Sequence, residues 1–182
     1  MPELDLDHVS SFAKVSRDLD EASPYFLDSI KPHAAAVALL RAHAGVKLEP
    51  LQHYGAGLDL RFNPQIALAC ESEIIELCAI LKQDLCPVAD VNSGNGVLLL
   101  GENGKCFTIS TEAPHVFYLG DIHQAIATIL TGKDMRPVLP IRDYPQRLSS
   151  AGFDVYPPDS IEVFWVNADH WICETREDED EE

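Results

Sequence analysis

The sequence is poor in positive charge and in long apolar runs, and each shortage excludes a class of protein. Thirteen Lys and Arg stand against thirty Asp and Glu in 182 residues, a formal charge of −17. Because binding to a phosphate backbone depends on cations that displace counterions, direct nucleic-acid binding is disfavoured. No segment approaches the roughly 18 apolar residues of a membrane span. The acidic start MPELDLDHVSS also lacks the pattern of a signal peptide, so we expect a soluble cytoplasmic protein.

The cysteines and histidines lack the spacings of metal sites and disulfide frameworks. Five cysteines, at positions 70, 78, 86, 106 and 173, form no C-x-x-C pair. On one helix, Cys70 and Cys78 would lie about 12 Å apart along the axis, too far to share a metal ion. The seven histidines are scattered and form no H-E-x-x-H motif. We therefore predict reduced, buried thiols and no metal site.

Catalytic and nucleotide-binding motifs are also missing. The segment Gly101–Lys105 invites comparison with a phosphate-binding loop, but Leu99 and Cys106 stand where that motif needs Gly and Ser or Thr. A dinucleotide fingerprint beginning at Gly94 and Gly96 fails at Leu99 as well. Cys106 with a distant His would be a nucleophile pair in principle, yet its apolar surroundings favour a buried thiol. No catalytic residue and no cofactor are predicted.

What the sequence does contain is a strong hairpin signal between Gly96 and Ser110. Two apolar runs, Val97–Leu100 and Cys106–Ile109, flank Asn103-Gly104, a dipeptide that tolerates the positive φ angles of a tight turn. The first run is apolar at every position, which is typical of a central strand covered on both faces. The pattern predicts a β-hairpin at the centre of a sheet.

Two helices with apolar periodicity are predicted around this hairpin. The segment from Asp121 to Leu130 has Asp121 as a cap and Gly132 just beyond its end. A longer helix is predicted from Asn63-Pro64, as N-cap and first helical residue, to about Lys82. Its buried stripe consists of Ile66, Cys70, Ile74, Leu77 and Leu81.

The rest of the chain gives shorter elements. We predict an amphipathic helix from Asp7 to Leu19, a helix entered through Pro32 and ending near Ala44, and a strand through Leu58, Leu60 and Phe62. Leu85–Val91 is predicted to be extended, with Pro87 at a strand edge or end. After Gly132 the prolines predict an irregular stretch, followed by strands at Ile161–Val166 and Trp171–Thr175 and a disordered acidic tail.

The order of these features resembles the SUKH-3 branch of the SUKH superfamily, whose wider membership includes the Smi1/Knr4-like proteins of yeast. The resemblance covers roughly residues 5 to 133. It lies in the segment LLRAHAGVKL, the helix start FNPQIA, an L-x-P-V element followed by an acid (Leu85, Pro87, Val88, Asp90), a turn before an aromatic (Glu102, Gly104, Phe107) and a closing pattern (Leu119, Gly120, Ala125, Ile126, Leu130, Gly132). It departs from the family where Ala44-Gly45 replaces a glycine pair.

The resemblance implies an α+β domain with a mixed or antiparallel sheet flanked by helices. It also implies a non-enzymatic immunity protein that neutralises a cognate polymorphic toxin, often a nuclease or a nucleic-acid deaminase. The excess of acid suits a basic toxin, and equally suits solubility alone. A Smi1/Knr4-like regulatory scaffold remains the alternative, ahead of a small-ligand carrier or an enzyme.

Domain boundaries and partner contacts follow from the resemblance and from composition. Residues 1–133 are assigned to the SUKH-3-like domain, 134–175 to an extension packed on it with a short β-hairpin, and 176–182 to the acidic tail. The predicted partner contacts are two acids in the resembling motifs, Asp90 and Glu102, and two aromatic residues of the extension, Trp165 and Trp171, since interface energy concentrates in buried aromatic side chains. A tryptophan in a strand is, however, more often a core residue than an interface anchor.

Overall fold

A computed structural model describes residues 4–20, 23–51, 57–110, 115–132, 136–140, 164–166 and 171–173. These residues contain an antiparallel sheet of eight strands. The strands are β1 (Ala13–Arg17), β2 (Val46–Pro50), β3 (Leu60–Arg61), β4 (Leu85–Val91), β5 (Gly96–Gly101), β6 (Cys106–Ser110), β7 (His115–Gly120) and β8 (Arg136–Pro140). Each strand pairs with the next along the chain. The predicted α+β class is confirmed, and the sheet is antiparallel.

Helices cover both faces of this sheet. They are α1 (Leu6–Val9), α2 (Ala34–His43), α3 (Glu71–Leu81) and α4 (Ile122–Thr131), with 3-10 helices at Gln65–Cys70 and Asn92–Gly94. Apolar side chains of α2 and α4 belong to one core cluster with one face of the sheet, which we call the α2/α4 face. Those of α3 belong to a second cluster on the opposite face, which we call the α3 face. The sheet thus separates two apolar layers.

Strand β5 lies at the centre, as its apolar sequence predicts. Leu98 and Leu100 belong to the cluster under α2 and α4, whereas Val97 and Leu99 belong to the cluster under α3. The predicted hairpin with β6 is confirmed, because Leu99 pairs with Phe107 in antiparallel register. Of the turn residues only Gly104 has a positive φ, 79°. The four-residue loop therefore needs a left-handed conformation at one position only.

Helix α4 agrees with its predicted bounds to one residue. Asp121 Oδ1 accepts hydrogen bonds from the backbone N–H groups of His123 and Gln124, both at 3.0 Å. Gln124 Oε1 in turn accepts from the Asp121 N–H at 3.0 Å, which completes a capping box. Gly132 ends the helix with a φ of 66°. The five apolar positions of the predicted stripe are all buried: Ile122, Ala125, Ile126, Ile129 and Leu130.

The long helix near residues 63–82 has its predicted stripe and end but a different start. Cys70, Ile74, Leu77 and Leu81 are buried, whereas Ile66 of the predicted stripe is half-buried; Lys82 ends the helix in the left-handed conformation. The predicted cap at Asn63 is wrong, because the chain runs as a 3-10 helix over Gln65–Cys70 before α3 begins. The N–H of Ile66 instead donates to Asp90 Oδ1 on β4, at 3.2 Å. A carboxylate from the sheet thus takes the place of a local cap.

Helix α2 ends near Ala44 as predicted, but Pro32 precedes the helix instead of lying in its first turn. The N-cap is His33, whose Nδ1 accepts from the Ala36 N–H at 3.3 Å. Because Nδ1 is the acceptor, Nε2 carries the proton and donates to the Leu100 carbonyl at 2.8 Å. One imidazole therefore both caps α2 and ties it to the central strand.

The helix predicted from Asp7 to Leu19 is wrong beyond its first turn. Helix α1 ends at Val9, where Ser10 Oγ and Ser11 Oγ donate to the carbonyls of Asp7 and His8, both at 2.7 Å. Such local bonds compete with helix propagation. Ala13–Arg17 then forms β1, with Val15 paired to Leu48 of β2. Long-range pairing decides the conformation of this segment.

Two predictions about proline are also corrected. Pro87 lies inside a fully buried central strand, where a register shift between Pro87 and Ala89 accommodates it. Arg136–Pro140, predicted to be irregular, forms β8 and pairs with β7. In the sheet order β8 comes last, and an edge strand tolerates prolines because one side of it needs no N–H donors.

Two short strands follow at β9 (Phe164–Val166) and β10 (Trp171–Cys173). They pair antiparallel, with Ile172 opposite Trp165, so both predicted strands exist in shorter form. The predicted acidic tail, residues 176–182, and most of the predicted extension, 134–175, lie outside the described residues.

Candidate protein-binding cleft

On the α3 face of the sheet, one row of paired residues is polar in the first four strands and apolar in the next three. Ser16 pairs with Lys47, Lys47 with Arg61, and Arg61 with Asp90 across the first four strands. The same row continues through β5, β6 and β7 as Val97, Ile109 and Val116. The apolar half of the row lies in the core cluster with α3. The polar half forms the floor of a cleft of about 790 Å³.

The local sequence explains why this half is polar. Leu48 and Leu60 are buried on the α2/α4 face, and the residues that alternate with them, Lys47 and Arg61, therefore point to the opposite side. The same alternation places Ser16 beside Lys47. A strand with one buried and one polar face is the expected structure for an antiparallel sheet that is open on one side.

The walls of the cleft come from a rim segment and from the ends of β3 and β4. The rim segment is Asp18–Asp20, in which the Asp20 N–H donates to Asp18 Oδ1 at 3.0 Å. On the other side, Ser93 Oγ lies 3.2 Å from both carboxylate oxygens of Asp59. Leu19 on the rim is 80% exposed. Charged groups and one apolar side chain thus border the same opening.

Asp90 lies at the floor of the cleft and joins three elements. It is 4% exposed, and its Oδ2 lies 3.4 Å from Nη2 of Arg61 on β3. Its Oδ1 accepts from the Ile66 N–H, as described above. A buried carboxylate needs such donors to offset its lost hydration. Asp90 therefore fixes the position of the helix start relative to β3 and β4.

The cationic groups of the cleft have acceptors within the chain. Arg17 Nη2 donates to the Ala42 carbonyl at 2.6 Å, and Lys47 Nζ donates to Glu49 Oε1 at 2.8 Å. This hydrogen bond raises the pKa of Lys47, and together with Lys14 it lowers the pKa of Glu49. Four lining carboxylates, at positions 18, 20, 59 and 90, accompany the three cations. The surface can pair with both signs of charge on a partner.

The thiols do not supply nucleophiles to this cleft. Burial raises the pKa of Cys70 to about 11 and the pKa values of Cys86 and Cys106 to about 12, and it also raises that of Cys78. These four thiols are protonated at neutral pH; Cys70, Cys86 and Cys106 are buried, as the sequence predicts, and Cys78 is half-buried. Among the described residues no cluster of His, Cys, Asp and Glu has the arrangement of a metal site.

The predicted partner contacts lie in different parts of the molecule. Asp90 lines the cleft, whereas Glu102 lies in the β5–β6 turn, at the opposite end of β5. The length of β5 separates these ends by about 16 Å. Trp165 and Trp171 belong to the β9–β10 pair. Sequence reasoning missed Lys47, Arg61 and Ser16, although the alternation of apolar and polar residues in β2 and β3 marks Lys47 and Arg61 as surface residues.

In the part of the chain that the structure describes, every helix is too short or too polar to span a bilayer. An antiparallel sheet with helices on both faces and a charged cleft at one end defines an α+β domain suited to binding another molecule. A family model described as SUKH-3 immunity protein matches residues 8–132. The chain therefore belongs to the SUKH-3 immunity protein family, which the resemblance had indicated. No curated protein and no solved structure matches it.

Proposed function

We propose that this chain is a non-enzymatic immunity protein that acts in the cytoplasm by binding a cognate protein toxin with a basic surface. Membership of the SUKH-3 family carries this proposal. A formal charge of −17 supports the basic character of the partner, and a toxin that acts on nucleic acid needs a cationic surface of its own. A nuclease or a nucleic-acid deaminase is the toxin chemistry that fits best.

The cleft is the surface that we assign to toxin contact. Its exposed rim acids, Asp18 and Asp20, are available to cations of a partner, while Asp90 holds the floor in place. Trp165 and Trp171 in the β9–β10 pair remain proposed anchors, and Glu102 a proposed contact at the other end of β5. Replacing either Trp with Ala should then accelerate dissociation of the complex.

The test is stopped-flow binding to the toxin domain encoded by the neighbouring gene, inactivated by mutation, over a range of salt concentrations. Added salt shortens the Debye length from about 10 Å at 0.1 M to about 3 Å at 1 M, so the association rate should fall steeply. Dissociation should change less. An association rate that does not respond to salt would mean that the negative charge serves solubility alone.

Two matched double variants locate the contact. Asp18→Asn with Asp20→Asn removes two charges from the cleft rim, and Asp84→Asn with Glu102→Gln removes two exposed charges near the β5–β6 turn. Both should slow association slightly, because each lowers the total charge equally. The rim variant should also accelerate dissociation, and by more than the turn variant does. Faster dissociation of the turn variant alone would move the contact to the Glu102 end of the sheet.

A further inference from the structure

The outer side of the helix over residues 65–81 carries exposed apolar side chains that the cleft does not explain. Ala67 and Ile74 are fully buried against the sheet, and the residues that directly follow them, Leu68 and Ile75, are 62% and 50% exposed. The two positions are about two helical turns apart, so both side chains leave the helix on the side facing solvent. Leu68, in the 3-10 helix, and Ile75, in α3, are exposed large apolar side chains outside the core, and we call the two together the α3 patch.

The charges around the α3 patch are of one sign. From Gln65 to Leu81 the sequence contains three acids, Glu71, Glu73 and Glu76, and no base. Glu71 accepts a hydrogen bond from Ser29 Oγ, and Glu73 accepts one from Ser72 Oγ at 2.8 Å. Glu76 is exposed directly beside Ile75. An apolar centre with a charged rim is the usual arrangement of a protein-binding surface.

A hydrogen bond links the 3-10 helix that carries Leu68 to the floor of the cleft. The Ile66 N–H donates to Asp90, which lines the cleft floor, and Leu68 lies only two residues further along the same helix. This hydrogen bond holds the segment that carries Leu68 beside the strand that lines the cleft.

We infer that the α3 patch is a docking surface for the toxin, which covers Leu68 and Ile75 with an apolar area of its own surrounded by Arg and Lys. This inference rests on the proposed function, because it takes the basic toxin as the occupant. A second copy of this chain is the other occupant to consider. Two copies would bring the same acidic rims together in chains that each carry a charge of −17, which disfavours that contact.

The experiment compares variants in binding to the toxin domain encoded by the neighbouring gene, by surface plasmon resonance. Leu68→Ala with Ile75→Ala should weaken binding by about 10-fold to 100-fold, chiefly through faster dissociation. Glu76→Gln should weaken it by about 2-fold to 5-fold. Asp7→Asn makes the same carboxylate-to-amide change at an exposed acid outside both the α3 patch and the cleft, and is the matched control. Unchanged melting temperatures would establish that the variants are folded.

The outcomes separate this inference from the proposed function. If the unmodified chain binds the toxin domain and the double variant binds equally well, the docking surface is wrong and the immunity function stands. If the unmodified chain does not bind, the proposed function fails, and the inference fails with it. Self-association of the unmodified chain in sedimentation equilibrium, abolished by the double variant, would assign the α3 patch to a second copy and overturn the inference.

Discussion

The two halves of the α3 face have the same backbone pairing and opposite surfaces. From β5 to β7 the row of Val97, Ile109 and Val116 is buried, and α3 packs over that half. From β1 to β4 the same row consists of Ser16, Lys47, Arg61 and Asp90 and borders the cleft. Backbone hydrogen bonding alone thus does not determine whether a sheet surface becomes core or binding surface. The residue in every second position determines it.

The largest expected effect comes from a substitution in the apolar half of the α3 face, which helix α3 covers. Leu77 is 3% exposed and packs between α3 and the sheet. Leu77→Ala should lower the free energy of unfolding by about 2 to 5 kcal/mol, since the lost apolar contacts leave a cavity. Urea unfolding followed by circular dichroism measures this change. Glu76→Ala on the exposed side of the same helix should cost less than about 0.5 kcal/mol, and equal midpoints for the two variants would show that the buried side of the helix is misassigned.

A smaller effect is expected at the junction of the two halves. Asp90→Ala removes the acceptor of the Ile66 N–H and the ion-pair partner of Arg61. Leaving a buried donor without a partner costs about 1 to 3 kcal/mol, so the free energy of unfolding should fall by a similar amount. Asp90→Asn, which keeps an acceptor oxygen, should recover part of the loss. Asp84→Ala removes an exposed acid and serves as the control. If Asp84→Ala lowers the free energy of unfolding as much as Asp90→Ala does, the structural role of Asp90 is contradicted.

The smallest expected effect concerns pH and the buried thiols. Cys106 has its pKa raised by burial to about 12, from an ordinary value of 9.0. Between these values the native thiol keeps its proton and the unfolded thiol loses it, so the unfolded state binds fewer protons. The free energy of unfolding should therefore fall as pH rises above about 9.

Unfolding midpoints in urea at about pH 8 and about pH 10.5 measure this slope. Cys106→Ala removes the titrating group, and its stability should decrease less steeply over the same interval. All other ionisable groups are present in both proteins, so their contributions cancel in the comparison. Equal slopes would contradict the assignment of a raised thiol pKa.

Sequence alone predicts the elements whose signals are long and periodic. Helix α4 has five apolar positions, an N-cap at Asp121 and a glycine at 132, so its bounds were predicted to one residue. Strand β5 is apolar throughout because both of its faces are covered. The segment that forms β1 is harder to predict, because Phe12, Ala13 and Ser16 fit a helical stripe as well as a strand. Its pairing with β2 supplies the deciding contacts, and no local pattern contains them.

Among the described residues, Asp90 is the one predicted partner contact that lines the cleft. Asp90 belongs to the motif that resembles the family, but its partner Ile66 is 24 positions away in sequence. The floor of the cleft combines residues from four strands, and this combination exists only once the strand order is known. Alternation within β2 and β3 marks Lys47 and Arg61 as surface residues. It does not reveal that they share a surface with Asp90.

The strand order also has a consequence for how the chain folds. Since each of the eight strands pairs with the one before it, the sheet can grow by adding one strand at a time. A strand leaving the ribosome already has its neighbour in the synthesised chain, so no strand has to wait for a distant C-terminal partner. The pairings from β4 to β7 close short loops at a small entropic cost, whereas a helix lies between the strands of the β1–β2 and β3–β4 pairs, so we expect the strands from β4 to β7 to pair first.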